Sequence, residues 1–423
     1  MQLEKPKLFP DKRIFILTLV TLAFVFVVRL FWEYESYQSF ISKPFYFTYV
    51  TVIQSYQKIK NANAYQVLKV KSDEGLNFYT TLYEDQKLQH KRLRLQLFPD
   101  KQIHFTDYLG TFYIKSRIRQ RDELRETAKD RLLKMVEAQH AKRELASFYN
   151  AIFFATPLES RLREKITLLG VNHLVALSGF HLGILWGLVY GILLLLYKPL
   201  QQRFFPYRYA LIDIGSIAIL FLGFYGWFVG FPDSLLRSYA MVLIGWIVLV
   251  LGMELLSFTF LTTVVIALIA VFPFLIVSLG FALSVAGVFY IFLLLQYAKE
   301  VNVKVITFIL IPFGIFILML PIVHTFFSET SYYQLLSPLL SVLFVPFYPV
   351  AMVLHLFEIG DVLDELLYLL FLSPQTSKEA LLPFWMTAIY IGLSFGAIWF
   401  RKLFWVLIGV ALLYMFYLFV FIQ

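Results

Sequence analysis

Apolar positions along this chain fall into three patterns. The first is an unbroken run, residues 14–32 (IFILTLVTLAFVFVVRLFW), apolar except for Arg29 and its threonines. At about 1.5 Å per residue it is long enough to cross the hydrocarbon core of a bilayer. Lys5, Lys7, Lys12 and Arg13 precede it, so the positive-inside rule keeps the N-terminus cytoplasmic. Trp32, Glu33 and Tyr34 follow where a signal peptide would carry small residues and a cleavage site, so the run reads as an uncleaved anchor. The second pattern, within residues 45–116, is alternation of period two. It occurs in Phe47-Tyr49-Thr51-Ile53, in Leu76-Phe78-Thr80-Leu82, and in Leu93-Leu95-Leu97 among Arg92, Arg94 and Gln96. Turn signals at Asp73-Glu74-Gly75 and Pro99-Asp100 separate these runs. Five or so short strands predict a small β-barrel or partly open sheet.

Between these and the third pattern, residues 117–149 predict a helix, with Leu124, Ala128, Leu132 and Val136 recurring every four residues among charged ones. From about residue 167 the chain is almost wholly apolar. Candidate spans are 168–197, 209–229, 235–253, 258–278, 280–297, 305–323, 335–357, 383–400 and 403–422, two of them rich enough in Gly and Pro to be broken or re-entrant. With the anchor this predicts a polytopic α-helical membrane protein of roughly ten spans, carrying a small extracytoplasmic β-barrel domain inserted after the first span. The divisions are 1–44 (cytoplasmic N-terminus and anchor), 45–116 (β domain), 117–166 (basic amphipathic linker) and 167–423 (transmembrane domain). Lys198, Arg203 and Arg208 fall in one cytoplasmic loop, and Lys299 with Lys304 in another. Arg401-Lys402 is cytoplasmic too only if residues 362–373 also cross or 335–357 merely dips in, so the topology after residue 330 stays open.

Composition agrees: 59% of the 423 residues are hydrophobic, 18% aromatic and only 15% charged, unlike a water-soluble domain. Charge divides the chain further. Residues 1–165 hold 28 of the 37 Lys and Arg against 18 of the 28 Asp and Glu, a net charge of +10, whereas the remainder is nearly uncharged. Lys87 to Arg143 alone carries 15 basic and 7 acidic residues. Such a run is a solvated helix face, an interfacial helix on anionic lipid, or a surface that meets phosphates. The lack of cysteine excludes disulfides, thiolate nucleophiles and thiolate metal sites.

Polar groups inside a membrane cost free energy unless they face protein or water, so the exceptions carry the candidate chemistry. The densest is Asn172-His173-Leu174-Val175-Ala176-Leu177-Ser178-Gly179-Phe180-His181. Helix packing through Ser178 and Gly179 explains it plainly. On a continuous helix His173 and His181 stand about 12 Å apart, too far to share a metal ion unless the helix breaks at Ser178-Gly179. A Ser178–His181 nucleophile and base would need an acid from elsewhere, and no GxSxG elbow frames the serine. The second exception is Pro232-Asp233-Ser234-Leu235-Leu236-Arg237-Ser238, where Pro232 suits a helix start, Asp233 its positive end, and Arg237 either snorkels or lines a polar path. The third comprises Gly280-Phe281-Ala282-Leu283-Ser284 after Pro273, and Ser337-Pro338-Leu339-Leu340-Ser341 with Pro346 and Pro349. Disturbed helices of this kind favour a conduit over an anchor.

The run Leu169–His181 (LGVNHLVALSGFH) resembles the GLxHLLAISGLH signature of ComEC-type competence proteins, inner-membrane channels for DNA uptake in natural transformation. Pro232–Ser238 with Met241, Gly280–Ser284, and Ser337–Pro346 are similar to later family segments and fall in the family's order, as does Leu158–Glu164 before them. Ala282 stands where the family usually has Gln, and Ala155-Thr156 where it often has Gly-Asp. Larger members end in a metallo-β-lactamase-like nuclease domain, so any strand-degrading activity is expected to be absent here or supplied by another protein.

The resemblance implies a non-enzymatic channel, without cofactor or metal, that passes single-stranded DNA from periplasm to cytoplasm. It implies an OB-like, periplasm-facing β domain in which Lys91, Arg92 and Arg94 capture DNA. Tyr49, Tyr65, Tyr79, Tyr83, Phe105, Tyr108, Phe112 and Tyr113 are candidate stacking partners, from which alternation alone selects no set. Asn172, His173, Ser178, Gly179, His181 and Arg237 are expected to form the path or its gate, with Pro232, Asp233, Gly280, Phe281, Ser284, Pro338 and Pro346 shaping it. The implied partners are the lipid bilayer, a periplasmic DNA receptor, a cytoplasmic motor or single-strand-binding proteins, a separate nuclease, and further copies of the chain. Two other classes remain open: a secondary transporter of small anionic or lipid-linked substrates, and an intramembrane hydrolase using Ser178 and His181.

Overall fold

The computed structural model describes residues 8–9, 11–60, 63–82, 92–122, 126–252, 257–372 and 377–421. The chain divides into two compact units. One unit contains residues 9–128 with 263–279, and the other residues 129–262 with 280–423.

The first unit opens with helix α1 (Lys12–Ile41), whose N-terminus is capped by the Asp11 carboxylate accepting from the Arg13 amide. Its apolar residues are exposed around the helix: Ile16 is 58%, Leu17 66% and Phe24 69% exposed. A helix apolar on every side is soluble only in lipid. Its last turn enters a protein core, where Phe40 packs on Tyr46, Tyr108 and Phe112, and the Tyr37 hydroxyl donates to the Ile103 carbonyl at 2.8 Å.

That core belongs to a six-stranded sheet: β1 (Tyr46–Lys60), β2 (Asn63–Ser72), β3 (Asn77–Leu82), β4 (Arg92–Phe98), then a short helix α2 (Phe105–Leu109), β5 (Phe112–Tyr113) and β6 (Lys115–Asp122). The spatial order is β5-β3-β2-β1-β4-β6, antiparallel except for β3 with β5. Alternation buries Val50 and Val52, Leu68 and Val70, Phe78, and Leu93, Leu95 and Leu97 on one face. Only Ile114 separates β5 from β6, yet these strands lie at opposite ends of the sheet, so the sheet must curl until its edges meet. The Thr80 and Ser116 hydroxyls, 2.7 Å apart, join β3 to β6 across that closure.

The expected helix over 117–149 is thus corrected. Residues 117–122 complete β6: Ile118 packs against the sheet core between the exposed Arg117 and Arg119, and beyond an irregularity in the register at Arg119 the strand continues with Arg121 opposite Leu93. Helices α3 (Ala128–Ala138) and α4 (Arg143–Phe154) follow as two pieces.

The second unit continues with α5 (Ser160–Leu168), α6 (Asn172–Val175), α7 (Gly179–Phe204), α8 (Ala210–Val229), α9 (Asp233–Val250) and α10 (Phe258–Val271), the last passing into the first unit at residue 263. A 3-10 turn (Pro273–Val277) precedes α11 (Leu279–Tyr297), and α12 (Val303–Val305) runs through a π-helical turn into α13 (Ile311–Val323). After a two-residue pair, β7 (Glu329–Thr330) with β8 (Lys378–Glu379), the remaining elements are α14 (Ser337–Leu356), α15 (Asp364–Leu372), α16 (Phe384–Gly396) and α17 (Arg401–Phe416). Among the described residues, seven helices are long and apolar enough to cross a membrane, and three shorter apolar helices lie at other expected spans.

Two expected spans break. The first, 168–197, breaks at Gly170 and again at residues 176–178. The stretch 258–278 ends its α-helix at Val271, before Pro273. By contrast, α14 continues through Pro346 and Pro349. Residues 362–373 contain the nine-residue α15, about 14 Å long and too short to cross.

Two larger apolar clusters organise this unit among the described residues. One gathers α3 to α9, α14 and α15 around Tyr149, Leu162, Leu222 and Tyr348. The other joins α11, α13, α16 and α17, where interhelical hydrogen bonds add to packing: Tyr390 to the Leu318 carbonyl at 2.9 Å, Tyr297 to the Ala397 carbonyl at 2.6 Å, and Tyr290 with Ser394 at 2.9 Å. Between α8 and α9, Gly215 leaves room for the Trp246 indole, which would lie 2.0 Å from a Cβ there. Gly215→Ala is therefore expected to destabilise the protein by about 1–3 kcal/mol. Trp246→Leu in the same chain should recover part of that stability, as read by thermal unfolding in detergent.

Candidate functional site

The local fold around residues 168–181 follows from its small and polar residues. Gly170 ends α5 with φ +68°, a conformation that side chains resist. After the single turn of α6 the chain is extended until Ser178 caps α7: its hydroxyl accepts from the Phe180 amide at 3.3 Å. His181 completes a capping box, its Nδ1 accepting from the Ser178 amide at 3.3 Å. That leaves the imidazole proton on Nε2, which is buried and without a close hydrogen-bond partner among the described residues. The ring stands edge-to-face with Phe344 and Tyr348 of α14, 5.1 Å from each centroid.

The other polar segments converge on this break. Ser337 donates to the Gly170 carbonyl at 3.0 Å, and His173 Nε2 lies 3.1 Å from the Ser341 hydroxyl. Since Ser341 gives its own proton to the Ser337 carbonyl at 2.8 Å, His173 is the donor in that pair. Ser234 donates to the Leu177 carbonyl at 2.6 Å, satisfying the extended backbone. A Cβ at Gly179 would lie 3.2 Å from Ser238 Oγ, and one at Gly280 would lie 3.0 Å from Arg237 Nη2, so both glycines permit close approach. Segments far apart in the chain therefore meet around residues 170–181 and 234–238.

The expected site residues do not all take part equally. Ser178, Gly179 and His181 lie at the break, His173 is exposed on its rim, and Arg237 joins Gly280. Asn172 pairs with Thr167, its amide donating at 3.2 Å, and faces outward. Pro232 is the N-cap of α9 and Asp233 its first residue; the Asp233 side chain lies outside the described residues. Phe281 is buried and Ser284 half-buried one turn beyond Gly280, while Pro338 is buried beside Ser337 and Pro346 is exposed. Alongside the break lies a cavity of about 210 Å³ lined by Ala151, Ala155, Thr156, Pro157, Val175, Ala176, Leu177, Pro232 and Ser234. Ser234, Ser337, Ser341 and the cavity wall at Ala155-Thr156 were not expected as site residues. Ala155 itself has φ +58°, a strained value for alanine. The serines' i,i+4 spacing on one helical face was the available signal. Among the described residues no group of three or more His, Asp or Glu side chains is arranged to hold a metal ion.

A second basic surface lies in the first unit. Arg94 stacks over Phe47 and Tyr49 at 5.5 and 5.7 Å, and Arg92 over Tyr49 at 5.0 Å while pairing with Asp73. Lys91 and Tyr83 lie outside the described residues, and Phe112 is buried in the core. Lys115, Arg117, Arg119 and Arg121, exposed along edge strand β6, extend this surface, with Arg119 donating to Gln96 at 2.6 and 2.9 Å. Their period-two spacing was the signal, hidden by assigning them to a helix. Elsewhere, Lys129 donates to the Val229 carbonyl at the end of α8, and burial lowers its pKa from the ordinary lysine value.

A family model described as "Competence protein" matches residues 156–423, which include every polar segment of this convergence. The chain belongs to the competence protein family, and its part in the cell is in DNA uptake for competence. It is a membrane protein by its apolar helices. No curated protein and no solved structure matches the chain. Gly179→Val is expected to wedge Ser238 away from the α7 cap and reduce transformation strongly at unchanged protein level. Gly183→Val, whose Cβ position has open space around it, should have little effect.

Proposed function

We propose that this protein is the inner-membrane channel that passes single-stranded DNA into the cytoplasm during natural transformation. The observation that carries the reading is the convergence of two distant segments, 234–238 and 337–341, on the broken helix around 170–179, through four contacts: Gly170–Ser337, His173–Ser341, Leu177–Ser234 and Gly179–Ser238. Non-helical backbone at membrane depth is tolerated where protein or a water-filled cavity receives it, and a cavity adjoins this one. Hydrogen-bonding groups with the Arg237 cation supply what phosphates need on the way through.

The β domain acts, on this reading, as a periplasmic OB-like receiver. Its aromatic and arginine surface around Phe47, Tyr49, Arg92 and Arg94, continued by β6, suits stacked bases beside a charged backbone. The N-terminus is then cytoplasmic, and a periplasmic DNA receptor and a cytoplasmic motor complete the route. The chain itself is not an enzyme on this account. Ser178 Oγ serves as a helix cap, and among the described residues no carboxylate orients His181 Nε2, so intramembrane hydrolysis is disfavoured.

His173→Ala, His181→Ala and Arg237→Ala should each abolish transformation while the protein stays in the membrane. Fluorescent DNA should then accumulate in the periplasm without entering the cytoplasm. Normal cytoplasmic entry in all three variants refutes the channel. Replacing Arg117, Arg119 and Arg121 with Ala should weaken binding of single-stranded oligonucleotides to the purified protein. The salt dependence of that binding should also flatten, by about 0.7 in log–log slope for each phosphate the arginines no longer neutralise.

A further inference from the structure

Away from that convergence, three polar side chains are drawn together in the apolar interior. His140 follows α3, His355 lies in the last turn of α14, and Asp364 begins α15. His140 Nδ1 is 3.0 Å from both Asp364 oxygens, the two histidine Nε2 atoms are 3.0 Å apart, and His355 Nδ1 is 2.7 Å from the Ala351 carbonyl. The His140 side chain is wholly buried and stacks on the Tyr149 ring at 4.6 Å, parallel to within 8°. Tyr149 also packs on His355 at 4.4 Å, and Phe153 packs on it edge-on. Gln139 braces the same corner, donating to the His355 carbonyl at 3.1 Å and accepting from the Gly360 amide at 2.9 Å.

The protons in this chain can be counted from its ends. A carbonyl oxygen only accepts, so His355 Nδ1 must carry a proton for the Ala351 bond. An ionised Asp364 also only accepts, so His140 Nδ1 carries another. The bond between the two Nε2 atoms needs one proton more. Two imidazoles and a carboxylate thus hold three ring protons, one above the neutral pair, and the excess positive charge balances Asp364. Removing one proton sets two lone pairs face to face at 3.0 Å, and adding one sets two N–H groups against each other. Either change breaks a buried hydrogen bond, which is costly where water cannot replace it.

We propose that Asp364, His140 and His355 form a one-proton lock that fastens the α3–α4 segment and α15 to the end of α14. The titratable and charged groups facing it are Tyr149 from α4 and, at its edge, Lys142, which lies over the Tyr368 ring of α15. No carboxylate other than Asp364 is bonded to either imidazole among the described residues. The lock does not depend on the channel reading.

Asp364→Asn can donate its amide proton to His140 Nδ1, which lets the chain of bonds close with two ring protons instead of three.

The test is nitrogen-15 NMR of the histidine rings of the full-length protein in detergent, wild type against Asp364→Asn. Three protonated ring nitrogens shared by His140 and His355 in the wild type, and two in Asp364→Asn, are the expected results. Two or four protonated nitrogens in the wild type, or the same count in wild type and variant, would overturn the lock. A stoichiometric zinc ion bound between the Nε2 atoms would overturn it too. Should Asp364→Asn fail to fold, the proton count in the wild type still decides.

Discussion

The requirement that backbone groups freed inside an apolar helix bundle find partners within the chain shapes this molecule more than any other constraint. It is most visible where α7 begins. Breaking a helix at residues 176–178 exposes backbone groups that lipid cannot solvate. Three of them are answered, locally or from a distant segment. The Ser178 hydroxyl takes the Phe180 amide, His181 takes the Ser178 amide, and Ser234 reaches the Leu177 carbonyl. The same logic governs Gly170, whose carbonyl receives Ser337. A break maintained by so many separate partners is specified by the sequence, because removing any one of them leaves a buried group unpaired.

Small residues make those partnerships geometrically possible. Gly179 admits Ser238, Gly280 admits the Arg237 guanidinium, and Gly170 lies against Gln334, each at a distance that leaves a Cβ little or no room. Close approach then lets short serine side chains span between helices, and short side chains lose little entropy when fixed. Helix α14 gathers the result: Ser337, Ser341, Phe344 and Tyr348 meet the α5–α7 break, and its far end carries His355. It keeps its helical course through Pro346 and Pro349, so proline here interrupts hydrogen bonding without ending the element.

The two units divide the physical work. The apolar unit is built for lipid and almost free of net charge, whereas the first 165 residues concentrate the basic side chains. In the curled sheet those side chains are ordered by the pleat, which directs Leu93, Leu95 and Leu97 inward while Arg92 and Arg94 lie over Tyr49. The competence family match covers residues 156–423, and so lies outside the β domain.

Much of this was legible along the chain. Long apolar runs require lipid wherever they occur, so the membrane class and the positions of most helices followed from residue pattern alone, as did the period-two strands. Polar residues in apolar surroundings, from Asn172 to His181 and around Arg237, marked the segments that meet in the fold. Where two periodicities competed the pattern misled: Arg117, Arg119 and Arg121 alternate as a strand inside a stretch whose apolar residues also fit a helix. Only the tertiary structure decided which serine reaches which carbonyl, that Asn172 points outward, and that His140, His355 and Asp364 join although 215 or more residues separate His140 from its partners. Periodicity reports the face of an element that seeks burial, whereas pairing across the bundle depends on how those elements cross, and no local pattern carries that information.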